Sequence, residues 1–403
     1  MSQPLAGIRI ADFTHVMAGP FASHLLRLLG EEVIKIESPG RGDAMRYYGA
    51  DRQYDGMAPA FIAVNCGKKS ITLDLKDPDE LAMARDIVDR CDVMIENFRP
   101  GVIGRLGLGA EEMRARNPNL IYCSISGYGQ SGPLRDWPAI DNIVQATSGM
   151  MSLGGNPGDP PMRVGFPVVD TLTGQTAAFA IMAALLRRER AGGGEFIDVA
   201  MLDATLAFMA SAVVPFLVTG TPLERTGNVG YSGQPTAALF TAGDGRMISL
   251  GVVQQSQFEA LARFLKRENW LADPRYADPD LRRVNANALQ LELSGVLKSR
   301  PAAEWEQEMS RHGIPCGMVR SVAEAAAFPH LADRNAILPI EIPGLPGGKR
   351  CEIVNAGFSL SEDGPSVREA PPRIDEHRDE ILAWLQKDRA APSEPGEPHI
   401  GVA

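Results

Sequence analysis

"GIRIADFTHVMAGPFASHLLRLLGEEVIKIE", Gly7 to Glu37, is the stretch that decides the fold. "GIRIADF" reads as a strand, "PFASHLLRLLG" as a helix and "EVIKIE" as a second strand. The same alternation continues outward. "SITLDL" predicts a strand, and "DPDELAMARDIVDRC" a helix whose opening acids suit a helix N-terminus. "DVMIENF" and "NLIYCSISG" predict further strands, with a helix around "EEMRARN" between them. Alternation of this kind gives the α/β class, a parallel sheet with helices on both faces.

After one more strand and helix, the texture changes from about Gly227 to Val319. "EFIDVAMLDATLAFMASAVVPFLV" predicts a strand and a largely buried helix. Glycine-rich loops then precede "LFTAGDGRMISLGVV", two short strands about an Asp244-Gly245 turn. This places a large domain over residues 1–200, completed by about 330–385, and a small α+β domain over 225–320. "GGKRCEIVNAGFSLS" predicts a return to strands and "RIDEHRDEILAWLQ" a closing helix. Residues 388–403, polar and proline-rich, are expected to be disordered.

A length of 403 residues favours two domains. The formal charge of −10 argues against nucleic acid or an anionic membrane as the main partner. No apolar run reads as reaching the ~18 residues that span a bilayer, and the N-terminus does not resemble a signal peptide. Five scattered cysteines, without CxxC spacing, read as reduced thiols of a cytoplasmic protein. The first turn, "THVMAGP", lacks GxGxxG, and no GxxxxGK[ST], GxSxG or HExxH is present. With no Cys/His cluster either, no metal centre is expected.

One acid stands out. In "GFPVVDTLTGQTAAFAIMAALLRRERAGGG", Gly165 to Gly194, an apolar run ends on Asp170 just before a long helix. Asp170 fits a helix N-cap. It also fits a nucleophile at the exit of a strand, kept ionised by the helix N-terminus. Position alone is consistent with both.

The motifs "ADFTHVMAGPFASHLLRLLGEEVIKIESPGRGD", "NCGKKSITLDLK", "DVMIENFRPGVIGRLG", "ISGYGQSGP", "FPVVDTLTG" and "HGIPCGMV" occur in one order. In that order and spacing the chain resembles the class III CoA-transferases from about Leu5 to Leu385. This family includes formyl-CoA and carnitine CoA-transferases, and α-methylacyl-CoA racemases form a branch of it. The resemblance implies a Rossmann-like large domain with a small domain, and ring-shaped chains interlocked in a homodimer. It implies transfer of coenzyme A from an acyl-CoA donor to a carboxylic acid, with the CoA thioester as co-substrate and no tightly bound cofactor. Small or dicarboxylic acids such as succinate, oxalate, mesaconate or itaconate, and carnitine-like acids, are the candidate acceptors. The alternatives are an acyl-CoA racemase on the same fold and a non-catalytic CoA-binding protein.

The resemblance also implies roles for residues. Asp170 becomes the nucleophile. His15, Val16, Met17 and Ala18 run beside the pantetheine and thioester, with Met17 where formyl-CoA transferases carry a glutamine. Leu73 and Lys76, with Asn97, Phe98 and Arg99, match segments that hold the nucleotide half of CoA, and Arg105 lies near its adenine and phosphates. Ser38 replaces a family arginine, for which Lys35 or Arg41 could substitute. Ala139, Ile140 and Asp141 match the stretch across from the nucleophile. Racemases carry a proton-accepting histidine where Ile140 stands, and a GDFGGG-like run where this chain has "VDTLTG", so transfer is favoured over racemisation. Asp141 either tunes Asp170 or is a structural acid. In "GNVGYSGQP", Gly230, Tyr231, Gly233 and Gln234 match a glycine-rich lid. Gln234 is expected to hydrogen-bond the acceptor.

Overall fold

The runs RIAD, EVIKIE, KSIT, VMIE, IYCSIS and EFIDVA form six parallel strands: β1 (Arg9–Asp12), β2 (Glu32–Glu37), β3 (Lys69–Thr72), β4 (Val93–Glu96), β5 (Ile121–Ser126) and β6 (Glu195–Ala200). Their order is β3-β2-β1-β4-β5-β6, every pair parallel. The central strands are apolar on both faces, as a doubly covered parallel sheet requires. The computed structural model describes residues 3–49, 54–345 and 350–389. The chain divides into two units: residues 1–148, 164–217 and 330–403, and residues 149–163 and 218–329.

In the larger unit the helices are α1 (Ala18–Arg27), α2 (Pro59–Asn65), α3 (Pro78–Asp89), α4 (Val102–Arg105), α5 (Ala110–Arg116), α6 (Asp141–Thr147), α7 (Val168–Ala191), α8 (Met201–Phe208) and all but the last two residues of α9 (Ala210–Thr219). On one face of the sheet Ile10, Val33 and Val93 pack with Ala22 and Leu26 of α1 and Ala177 and Ile181 of α7. On the other, Ile36, Ile71 and Met94 pack with Ile87 and Val88 of α3 and Ile381 and Leu385 of the closing helix. Asp77 caps α3, its carboxylate accepting from the N–H groups of Asp79 and Glu80. Gly174 lets α7 lie against the start of α1: a Cβ there would sit 2.6 Å from the Ala18 carbonyl oxygen.

The smaller unit pairs β7 (Leu239–Thr241), β8 (Met247–Leu250) and β9 (Cys316–Met318) as an antiparallel sheet. It encloses its own core around Trp270, Phe258, Leu293 and Trp305. Back in the larger unit, β10 (Ile337–Glu341) and β11 (Arg350–Val354) form a two-stranded antiparallel sheet.

Several expectations are corrected. Residues 149–163, expected in the large domain, group with the smaller unit. Arg225 donates to the carbonyls of Ser152 and Asp159, and the Gly227 N–H to Gly155 O at 3.2 Å. The strand expected before Asp170 is absent. α7 begins at Val168, so two of the apolar residues counted as strand belong to its first turn. The single buried helix expected after β6 is two helices bent by 79°, and α9 buries none of its residues. α7 is, by length and composition, apolar enough to cross a membrane, its best window having a mean hydropathy of 1.4 and half of it buried within the protein. Its interspersed Thr, Gly and Gln hide that length in the sequence. The closing helix spans Arg378–Arg389, so it enters the first two residues of the expected tail. The remainder, 390–403, lies outside the described residues.

Candidate functional site

Strand order reverses direction between β1 and β4, and in open parallel sheets ligands bind at the carboxyl ends of the strands flanking such a point. The two loops that leave this edge are the ones carrying His15–Ala18 and Asn97–Arg99. Asn97 joins them. Its Oδ1 accepts from the His15 N–H at 3.0 Å, and its Nδ2 donates to the His15 carbonyl at 2.8 Å. The Phe98 ring lies 5.3 Å from that of His15. Burial, ahead of the opposing pull of Asp43, lowers the His15 pKa, so the ring is neutral at pH 7.

The first loop is held under strain. Val16 has φ of +67°, a conformation that costs a β-branched residue ~1–3 kcal/mol unless its surroundings enforce it. A buried charge network does so. The Val16 N–H donates to Asp43 Oδ1 at 3.0 Å, and Lys35 Nζ pairs with Asp43 Oδ2 at 3.0 Å and donates to the Thr14 carbonyl at 2.7 Å. Behind it, Asp12 accepts from Ser23 Oγ at 2.6 Å and pairs with Lys68 Nζ at 3.1 Å. Asp12 lies far below the usual carboxylate range: its burial opposes this, and Lys68 and Lys35 outweigh the burial. Lys35 is therefore committed to the fold and cannot replace the family arginine lost at Ser38. Arg41 is exposed, over the Tyr47 ring at 4.9 Å.

Asp170 occupies the third position of α7 and is not its N-cap; that place belongs to Pro167, which supplies no side-chain acceptor. The acceptor comes from a neighbouring helix. Asp141, first residue of α6, takes the N–H groups of Val169 at 2.8 Å and Asp170 at 3.2 Å on its Oδ2. Its Oδ1 accepts from Gln145 Nε2 at 2.6 Å, and Gln145 Oε1 accepts from the Val164 N–H at 2.9 Å. The Asp170 carboxylate accepts no hydrogen bond from the described residues. Its pKa is pushed up to about 7, by burial first and then by the Asp141 charge. The helix N-terminus favours the anion, yet desolvation and the second acid win. Asp141 is at once a structural cap and the charge that tunes Asp170.

The other candidates are dispersed more widely. Leu73 has its side chain in the core, 1% exposed, and Lys76 is exposed. Ala139 packs on Gly127 at the end of β5, where a Cβ would meet it at 2.2 Å, and Ile140 is exposed beside it. Arg105 is joined by a residue the sequence reading misses. At Gly101, φ +78°, a Cβ would lie 3.3 Å from Arg105 Nη1 and 3.6 Å from Arg135 Nη2. Neither guanidinium has a partner among the described residues, so the pair can take an anion between them. No feature of "GPLRDWP" marks Arg135 in advance.

The glycine-rich segment lies in the smaller unit. Tyr231 is fully accessible there, at 87% exposure, and lines a cavity of about 640 Å³ with Gly230, Ser249 and Leu250. Gly230 is tied by its N–H to the Ala237 carbonyl at 2.6 Å, and Gly233 has φ of +66°. Gln234 is not free to meet an acceptor acid: it is buried and donates to the Pro279 carbonyl at 3.1 Å. Among the described residues, no group of three or more His, Cys, Asp or Glu is placed to hold a metal.

The six-stranded parallel sheet with helices on both faces is the large domain of a CoA-transferase of class III. Residues 5–378 match the model of CoA-transferase family III, and the chain belongs to that family. It is 39% identical over 394 residues to an acetyl-CoA:oxalate CoA-transferase of Acetobacter aceti, covering 96% of both chains. To a succinate–glutarate CoA-transferase of Agrobacterium fabrum it is 35% identical, covering 95% of this chain and 96% of that one. A CaiB/BaiF family protein from Brucella suis superposes with a TM-score of 0.84 at 30% identity, over 96% of this chain and 100% of that one.

Proposed function

We propose that the protein moves CoA from an acyl-CoA to a small dicarboxylic acid, with Asp170 as the covalent carrier. The observation that carries this reading is the Asp170 carboxylate itself: desolvated, free of hydrogen bonds from the described residues, and fixed on the first turn of a helix packed against α1. In the proposed sequence its oxygen attacks the acyl-CoA carbonyl, the C–S bond breaks, and a mixed anhydride forms with release of CoA thiolate. The thiolate then attacks the aspartyl carbonyl, expelling the donor acid and leaving an aspartyl-CoA thioester. The acceptor carboxylate attacks that thioester to give a second anhydride and thiolate. Attack of the thiolate on the acceptor carbonyl gives the new acyl-CoA and restores Asp170. Each stage exchanges one activated carbonyl for another, so no ATP is needed. The guanidiniums of Arg105 and Arg135, side by side at Gly101, support a place for the CoA phosphates. Relatives named for oxalate and glutarate support the acceptor class.

The test is a panel of CoA esters incubated with oxalate, succinate, glutarate and monocarboxylic controls, read by mass spectrometry. New acyl-CoA is expected with dicarboxylic acceptors. Solvent-deuterium exchange at the α-carbon of a 2-methylacyl-CoA, without transfer to any acid, would overturn the reading in favour of racemisation.

We also propose a homodimer. A single chain leaves a broad apolar surface in water: Phe179, Met182 and Leu186 along α7, Phe208 on α8, and Val214, Phe216 and Leu217 on α9 are all exposed. Patches of this extent are covered by a partner in most soluble proteins. Light scattering over a wide dilution range should report twice the chain mass throughout. A folded monomer at low concentration would contradict interlocked chains.

A further inference from the structure

Glu96 is a buried acid that the proposed reaction does not use. It ends β4 at the switch point, 2% exposed, immediately before the Asn97–Arg99 loop. Its Oε2 accepts from the Phe98 N–H at 2.8 Å, and its Oε1 from the Ser124 hydroxyl on β5. Ser124 Oγ accepts in turn from Gln130 Nε2 at 2.8 Å, and the Gln130 N–H donates to Asp198 Oδ2 on β6 at 2.8 Å. This chain of bonds therefore joins the loop after β4 to the loop after β5. Through Asn97 it also reaches the strained loop at His15. Both donors at Glu96 point toward its oxygens, as an ionised carboxyl requires, and a proton on Oε1 would turn the Ser124 bond round and take away the acceptor of the serine hydrogen. A proton on Oε2 would face the Phe98 N–H and remove that bond.

We propose that Glu96 is a positioning residue that holds the Asn97–Arg99 loop in its CoA-binding form only while ionised, so that CoA binding is coupled to the loss of one proton from this edge of the sheet. The inference rests on the CoA-transferase reading above. The charged group facing Glu96 is Asp198. Tyr122 and Cys123 of β5 lie near enough to feel its charge and remain neutral, because burial pushes both far up. Burial, offset in part by Ser124 and Phe98 and reinforced by Asp198, raises Glu96 to about 7, which puts the coupling in the working range of pH.

The experiment measures CoA affinity by calorimetry between about pH 5.5 and about pH 8, in full-length Asp170→Ala protein so that Asp170 does not titrate. With Glu96 present, the Kd should rise by up to about tenfold for each pH unit below about 7. With Glu96→Gln it should keep only the shallow dependence of the ligand's own phosphate, which titrates near about 6 and is common to both proteins. Ser124→Ala, which removes a donor that favours the anion, should move the break to higher pH. Parallel Kd curves with and without Glu96→Gln, or no shift with Ser124→Ala, would overturn the coupling and leave the transferase reading intact. Absence of CoA binding by every variant at every pH would overturn the CoA site, and the coupling with it.

Discussion

Asp170→Ala should lower CoA transfer by at least about 10³-fold while leaving CoA affinity and the unfolding midpoint nearly unchanged. The Asp170 side chain accepts no hydrogen bond from the described residues, and α7 is capped by Asp141 instead, so the substitution removes the proposed reacting group and little of the structure. With an acyl-CoA and no acceptor acid, the parent should accumulate a CoA thioester on the peptide that contains Asp170, and the variant none. Because the proposed nucleophile is the anion and its pKa stands at about 7, the parent's kcat at saturating acyl-CoA, where the Glu96-linked change in binding drops out, should fall as pH drops below that value. Asp141→Asn keeps an oxygen for the Val169 and Asp170 N–H groups but removes the second negative charge. The ionised form of Asp170 then costs less, and the fall in rate should move to lower pH. Substantial turnover by Asp170→Ala would remove the residue from the mechanism. An unmoved profile in Asp141→Asn would leave burial as the whole cause of the shift.

Lys35→Met should destabilise the folded chain by about 3–5 kcal/mol, the usual result of breaking one half of a buried ion pair. Lys35 and Asp43 are 0% and 1% exposed at their side chains, and the methionine leaves Asp43 without its cation and the Thr14 carbonyl without its donor. Asp12 and Glu37, whose charges also stabilise the ammonium, add to the imbalance. Lys35 has a raised pKa, so its contribution is present below the ordinary lysine value and is lost only as pH rises above it. Neutral pH is therefore the condition in which the full loss should appear. Urea unfolding of the single variant, of Asp43→Asn and of the double variant gives the coupling. The double should lose much less than the sum, since removing both partners leaves no stranded charge. A single-variant loss below about 1 kcal/mol would mean that water reaches the network. Because Asp43 also holds the Val16 N–H, folded Lys35→Met should bind CoA more weakly as the +67° backbone relaxes.

The charges inside the apolar strands are a sign of this network that the sequence holds and that the motif-based reading passed over. Asp12, Lys35 and Glu96 each sit in or end a run of β-forming residues, an expensive place for a charge unless it is paired or used. Arg135 and Gln130 carry no comparable mark, because nothing in an exposed loop sequence states which distant group it will face.

What the sequence determined by itself is local in origin. Apolar runs of four to six residues alternating with amphipathic segments specify β1 to β6 and their helices, since burial on two faces needs that pattern and no other supplies it. The order of motifs likewise specifies the family and marks Asp170 as the nucleophile proposed here. Tertiary structure decided the rest. α7 starts at Val168 and not beyond Asp170 because the cap comes from Asp141, 29 residues earlier, and the same distant carboxylate raises Asp170 instead of leaving it a low-pKa helix-mouth acid. Lys35 reads as a ligand for phosphate until Asp43 is seen beside it, and Gln234 as a substrate contact until Pro279 takes its hydrogen bond. Desolvation and charge pairing depend on which groups the fold brings within a few ångströms of one another, and sequence separation carries no record of that distance.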